Sequence, residues 1–237
     1  MKKFLYALMF FTTFNSLAQN SVTDSLKRLL RKEIADTIRV MLLNNLAYQY
    51  CYSSPDTSLV LTQQSLALAR QAGFVKGEAI AVYSLGTIAQ ITGNYPKFLE
   101  CYIQALKKFD SLQNLDGITG TFVGFGNTYS ELGDQQMAIN YYRKSKALAE
   151  AIPNTQLLNY ILIGLGDIYE KLNQLDSARI YTNQGYELAV RLNNAAFRYT
   201  ALLNLGNIHS RMQQDYIAMG YYRQSFSLEK ALKALEA

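Results

Sequence analysis

A chain of 237 residues that is 49% hydrophobic and 17% charged can bury a sizeable core, and its composition excludes disorder. The 23 basic and 18 acidic residues leave a formal charge of +5, scattered along the chain, which gives no electrostatic footprint for nucleic acid. One histidine and two cysteines exclude histidine-cluster zinc sites and a framework of disulfides.

The first predicted element is an export signal. Lys2 and Lys3 precede an apolar run over residues 4–11, and Ser16-Leu17-Ala18 follows as a small-x-small cleavage pattern, the order of a secretory signal peptide. The alternatives are an uncleaved anchor or a buried first helix, but the run is far short of the ~20 residues a span needs. Gln19 stands where a lipid-anchored precursor carries cysteine. Cleavage after Ala18 removes Lys2 and Lys3, so 23 − 2 = 21 basic residues remain against 18 acidic ones, or +3. The mature chain, residues 19–237, is then exported and periplasmic, with no further stretch long enough to span a membrane. An oxidising compartment makes a Cys51–Cys101 disulfide possible, yet both cysteines sit among apolar helix residues, which favours two buried thiols.

Residues 19–39 read as a helical lead-in, and residues 40–237 as repeats. Gly86, Gly126, Gly166 and Gly206 recur 40 residues apart. Each lies at i+4 of a helical stripe whose other members stand at i, i+3 and i+7: Val82, Leu85 and Ala89; Phe122, Phe125 and Tyr129; Leu162, Leu165 and Tyr169; Leu202, Leu205 and His209. An upstream copy, Leu43, Leu46, Ala47 and Tyr50, has alanine in the small slot, which makes five units. Glycine inside a helix costs about 1 kcal/mol relative to alanine. Close packing is the expected compensation, with Ala138, Ala178 and Ala218 of a second helix facing the glycines.

That second helix follows a turn in every unit. The turns are "SSPD", "TGNYP", "LGDQ", "LNQLD" and "MQQD", rich in turn formers. After Ala138, Ala178 and Ala218 come Tyr142 and Tyr222 four places on, and small residues again at Ser145, Gly185 and Ser225. The second unit carries Phe98 in the alanine slot, with Tyr102 and Ala105 in register. Pro55 falls in a turn, Pro96 at a helix start and Pro153 in a link, so no proline interrupts a helix.

These slots, repeated five times in register over residues 40–237, resemble the tetratricopeptide repeat. The resemblance implies an all-α fold, a right-handed superhelical solenoid of about five helix pairs. Two departures stand out: a period near 40 residues instead of about 34, and no proline near the end of the second helix, where Asp110, Glu150 and Lys230 stand. Longer second helices or longer links account for both.

Catalytic and cofactor readings find little support. The "GxG" at Gly124 and Gly126 lacks the third glycine and the preceding strand of a nucleotide-binding turn. His209 occupies the slot of Tyr129 and Tyr169, which suits a packed histidine with one hydrogen bond. Asp134, Asp176 and Asp215 read as helix-capping residues. The paired Tyr141-Tyr142 and Tyr221-Tyr222 read as core and seam residues. No enzyme activity, cofactor or metal is expected.

A solenoid of this kind presents a concave face lined by its first helices, suited to a protein or peptide partner. The residues just after the small slots fall on it: Tyr48, Thr87, Asn127, Asp167 and Asn207, flanked by Glu131, Glu170, Lys171 and Arg211. Asparagine at this place in tetratricopeptide proteins commonly holds the backbone of a bound peptide, while the plainer reading is a solvated polar surface. Signal peptide, lead-in and repeats together also resemble the sensory region of bacterial sensor kinases and regulators. A free-standing periplasmic scaffold is the alternative. An apolar last helix, with Tyr221, Tyr222, Leu228, Leu232 and Leu235, invites further chain or self-association. Protein from the envelope fraction is expected to show the intact mass of residues 19–237; a chain starting at Met1 in the cytosol would overturn the export reading.

Overall fold

The computed structural model describes residues 16–152 and 155–234, and these form eleven α-helices. In chain order they are α1 (Ser16–Leu30), α2 (Asp36–Tyr50), α3 (Pro55–Gln71), α4 (Val75–Ile91), α5 (Tyr95–Ser111), α6 (Leu115–Glu131), α7 (Gln135–Ala149), α8 (Thr155–Lys171), α9 (Leu175–Arg191), α10 (Ala195–Arg211) and α11 (Asp215–Ala234). After the lead-in α1 they form five pairs: α2–α3, α4–α5, α6–α7, α8–α9 and α10–α11. No strand occurs among the described residues. Pro153 and most of the export segment lie outside them.

From α3 onward the helices begin at residues 55, 75, 95, 115, 135, 155, 175, 195 and 215, so the backbone repeats every 20 residues. The cause is one link used over and over. In the links after seven of the helices one residue takes a left-handed φ, at Gly73, Gly93, Gln113, Gly133, Asn173, Asn193 and Gln213. The next N–H then reaches back to the carbonyl five residues earlier, Asn94 to Ala89 at 2.7 Å and Gln174 to Tyr169 at 2.9 Å. This is the Schellman closure of a helix end, which satisfies carbonyls that would otherwise be orphaned. Glycine adopts it freely, whereas Gln113 and Gln213 bear a left-handed cost of about 1–2 kcal/mol. The extra length expected in the second helices or the links is shared by helices of both kinds: seven of the eleven are 17 residues long, and their links are three residues both within and between pairs, except for four residues between α2 and α3 and five between α7 and α8.

The helix starts refine the expected caps. Asp134 caps α7 by accepting from Met137 N–H at 3.0 Å, and Asn94, Asn114 and Asn194 do the same for α5, α6 and α10. Asp176 and Asp215 do not cap. They sit inside the first turns of α9 and α11, where the carboxylate suits the positive end of the helix dipole.

By contacts the chain divides into two compact units, Met1–Thr121 and Phe122–Ala237, the division falling within α6. In the first, consecutive helices α1 to α5 pack on one another, and first helices α2 and α4 also touch. Its core includes Val82, Ala105, Phe109 and Cys101, and Phe98, in the alanine slot, is fully buried against Tyr102 with ring centroids 4.2 Å apart. In the second, α7 to α11 pack in sequence and α8 touches α10, around a core of Ile139, Tyr142, Ile161, Leu165 and Ile168.

The repeated glycines meet aromatic rings. A methyl group on Gly126 would lie 2.6 Å from Cδ2 of Tyr142, and one on Gly86 or Gly206 would collide with the ring of Tyr102 or Tyr222. The atoms nearest Gly126 and Gly206 thus belong to tyrosine rings four residues beyond the expected alanines. At Gly166 the Thr182 hydroxyl comes nearest and the expected alanine follows, through the Ala178 carbonyl at 3.3 Å. Tyr142 is held on both sides, since a methyl on Gly164 of α8 would fall 2.8 Å from its Cε1.

Gly126→Leu is expected to lower stability by at least the ~1–3 kcal/mol of ordinary overpacking, and Gly126→Ala by less, because better helix propensity offsets part of the clash. Thermal unfolding of the two variants checks the order; an unchanged midpoint for the leucine variant would contradict the ring-on-backbone contact.

Candidate functional site

The residues that follow the glycines are tied to the rings beneath them. Thr87 Oγ1 lies 3.0 Å from Tyr102 Oη, Tyr142 Oη donates to Asn127 Oδ1, and Tyr222 Oη donates to Asn207 Oδ1 at 2.9 Å. Each pair is 15 residues apart and links the first helix of a pair to its second. Burial pushes the Tyr102 and Tyr142 hydroxyls well above the ordinary tyrosine range, and raises that of Tyr222. These hydroxyls stay protonated and able to donate.

A hydrogen bond into Oδ1 orients the asparagine amide. With the oxygen held toward the tyrosine, the NH2 group turns away, and the donors it keeps free are what the side chain offers a ligand. Asn127 Nδ2 meets Tyr160 Oη at 3.2 Å, while Asn207 is exposed. Asp167 differs because Thr182 replaces the tyrosine beneath it. Its carboxylate pairs with Lys171 at 2.7 Å.

The predicted flanking charges are largely spent on joining first helices. Lys171 Nζ reaches Ser130 Oγ at 3.3 Å. Arg211 donates to the backbone carbonyl and carboxylate of Glu170 and, at 2.9 Å, to Asn173 Oδ1. Both bridges span 41 residues, from the last turn of one first helix to the next. Burial raises the Glu170 carboxyl, and Arg211 opposes the shift. Glu131 is exposed on α6, and in the first unit Tyr48 is 69% exposed on α2. Sequence reasoning found these positions but missed the tyrosine hydroxyls; the signal was the constant 15-residue offset between Thr87, Asn127, Asn207 and their tyrosines.

His209 is a packed residue. Its Nδ1 lies 2.6 Å from Gln214 Oε1 and its ring stacks on Tyr221 at 5.3 Å, as Tyr129 stacks on Tyr141 and Tyr169 on Tyr181. Tyr141 thus packs inside its own pair, while Tyr142 also lies against Gly164 of the next one, the division between core and seam expected of the paired tyrosines. Cys51 and Cys101 are buried free thiols, and burial pushes Cys51 up to about 11, which suits packing over nucleophilic work. Among the described residues no group of three or more His, Cys, Asp or Glu is placed to hold a metal, and no helix is long and apolar enough to cross a membrane. On α11 the outward apolar residues are Tyr216, Ile217, Met219 and Phe226, while Tyr221, Tyr222 and Leu228, expected there, are half-buried. Leu235 and the side chain of Leu232 lie outside the described residues.

Comparison with known proteins places this geometry. The tetratricopeptide repeat family matches residues 121–152 and 160–193. No curated protein matches the sequence. Among solved structures, BtubC from P. vanneervenii is similar at 15% identity and a TM-score of 0.70, over 92% of this chain and 90% of that one. A Rap protein complexed with competence and sporulation factor is similar at 15% identity and a TM-score of 0.73, over 97% and 74%. NprR in complex with its cognate peptide NprX is similar at 16% identity and a TM-score of 0.67, over 99% and 69%.

Tyr222→Phe is expected to cost about 1 kcal/mol, the net worth of one hydrogen bond, and to lower the unfolding midpoint by about 2–4 °C. An unchanged midpoint in thermal unfolding would mean that the bond to Asn207 contributes nothing.

Proposed function

We propose that this chain, a tetratricopeptide-repeat protein by its sequence repeats and its fold, is a binding module that grips an extended peptide along its first helices. The observation that carries this reading is the pair of amides at Asn127 and Asn207, each fixed through Oδ1 by a tyrosine of the second helix. The donors that remain, one on Asn127 beside its bond to Tyr160 and two on Asn207, suit a backbone carbonyl. Fixing the amide beforehand removes rotamer entropy that binding would otherwise cost. A peptide in NprR, whose fold is similar, supports the choice of ligand class.

The wider reading is a module outside the cytoplasm, the sensory part of a bacterial signal-transduction protein. Its support is the order of charged, apolar and small residues from Lys2 to Ala18, together with the peptide-binding surface proposed above.

Replacement by alanine is a poor test, because it also strips the tyrosine hydroxyls of an acceptor. Aspartate keeps the acceptor and removes both donors. The double variant Asn127→Asp/Asn207→Asp is expected to bind a peptide selected from a random display library at least tenfold more weakly than the parent, about 1.4 kcal/mol or more. Its unfolding midpoint stays close to the parent's. Titration at raised salt screens the two added charges; unchanged affinity under those conditions would remove the amides from the binding surface.

A further inference from the structure

We propose that a cleft between α9 and α11, floored by α10, binds a small oxyanion, the phosphate or carboxylate group of a ligand. The cleft has a volume of about 430 Å³ and is lined by Tyr186 of α9, Arg198 and Leu202 of α10, and Arg223, Gln224 and Ser227 of α11. All the polar side chains in that set carry hydrogen-bond donors, and the two guanidiniums carry nothing else.

Three observations converge on an anion. Neither Arg198 nor Arg223 joins an ion pair among the described residues. Arg198 Nε is buried without a hydrogen-bond partner, and a buried donor on a charged group is costly to leave unmet. Leu202 is buried in the floor, and an apolar wall strengthens any charge pair formed beside it. Guanidinium geometry suits oxyanions, since each fork can grip two oxygens at once. Two such forks match a phosphate, and one matches a carboxylate.

The site is distinct from the amide surface and does not rest on it. Arg198 and Asn207 are nine residues apart on α10, which at 3.6 residues per turn puts them on opposite sides of that helix.

The test titrates inorganic phosphate, acetate and chloride into the full chain at matched ionic strength, following thermal unfolding. One of the two oxyanions, at ten times its Kd, is expected to raise the midpoint by about 3–6 °C over chloride, and which one does so identifies the ligand group. Phosphate also stabilises proteins generally by exclusion from their surface, so the rise must saturate. Arg223 is exposed, so Arg223→Gln leaves folding intact, and it is expected to weaken the anion at least tenfold. Arg179→Gln, on the exposed Arg179–Asp176 pair, is expected to change nothing. A midpoint that neither oxyanion moves beyond chloride, or an Arg223→Gln variant that binds like the parent, would overturn the proposal.

Discussion

An aromatic ring packed against bare helix backbone is the contact from which the rest of this molecule follows. Tyr102, Tyr142 and Tyr222 need a bare Cα beneath them, and Gly86, Gly126 and Gly206 supply it. The exchange is favourable by magnitude: a mid-helix glycine loses about 1 kcal/mol, whereas burying a large aromatic side chain contributes about 1.5–3 kcal/mol. The ring's position then decides where its hydroxyl ends, at the residue just beyond the glycine. Packing and surface chemistry are therefore coupled through one side chain, whose ring holds a helix pair together and whose oxygen sets the orientation of a surface amide.

The fourth pair, α8–α9, shows what happens when that residue is exchanged. Thr182 takes the tyrosine's place, its hydroxyl lies against Gly166 without a hydrogen-bond partner, and Asp167 above it turns to Lys171. The same slot thus carries an oriented amide in two pairs and a neutralised carboxylate between them. The surrounding charges, Lys171 and Arg211, are engaged in bridging successive first helices, which stiffens the frame on which the amides stand.

Much of this was legible in the sequence because amphipathic stripes and small-residue slots report directly on what is buried. The five pairs, the helical class, the packed role of His209 and the burial of both cysteines follow from residue type and spacing alone. The partner of each glycine did not, since sequence spacing identifies which residues are small but not which neighbour lies over them. Ala138 and Tyr142 are four residues apart on one helix, and only the geometry shows that the ring comes nearest. The link length was also hidden. Left-handed residues in the links are Gly, Asn and Gln in turn, so no single residue type marks the closure, although the hydrogen bonds that define it recur at every one.

Those closures give the molecule two nested periods. Backbone conformation returns every 20 residues, but side-chain chemistry returns only every 40, because first and second helices share a length and a link while differing in what they present. Loss or gain of one helix with its link would leave every hydrogen bond of the main chain in step and yet set second-helix sequence where first-helix sequence belongs. Rings would face rings and glycines would face glycines. The backbone would accept recombination by halves, and the core restricts it to wholes.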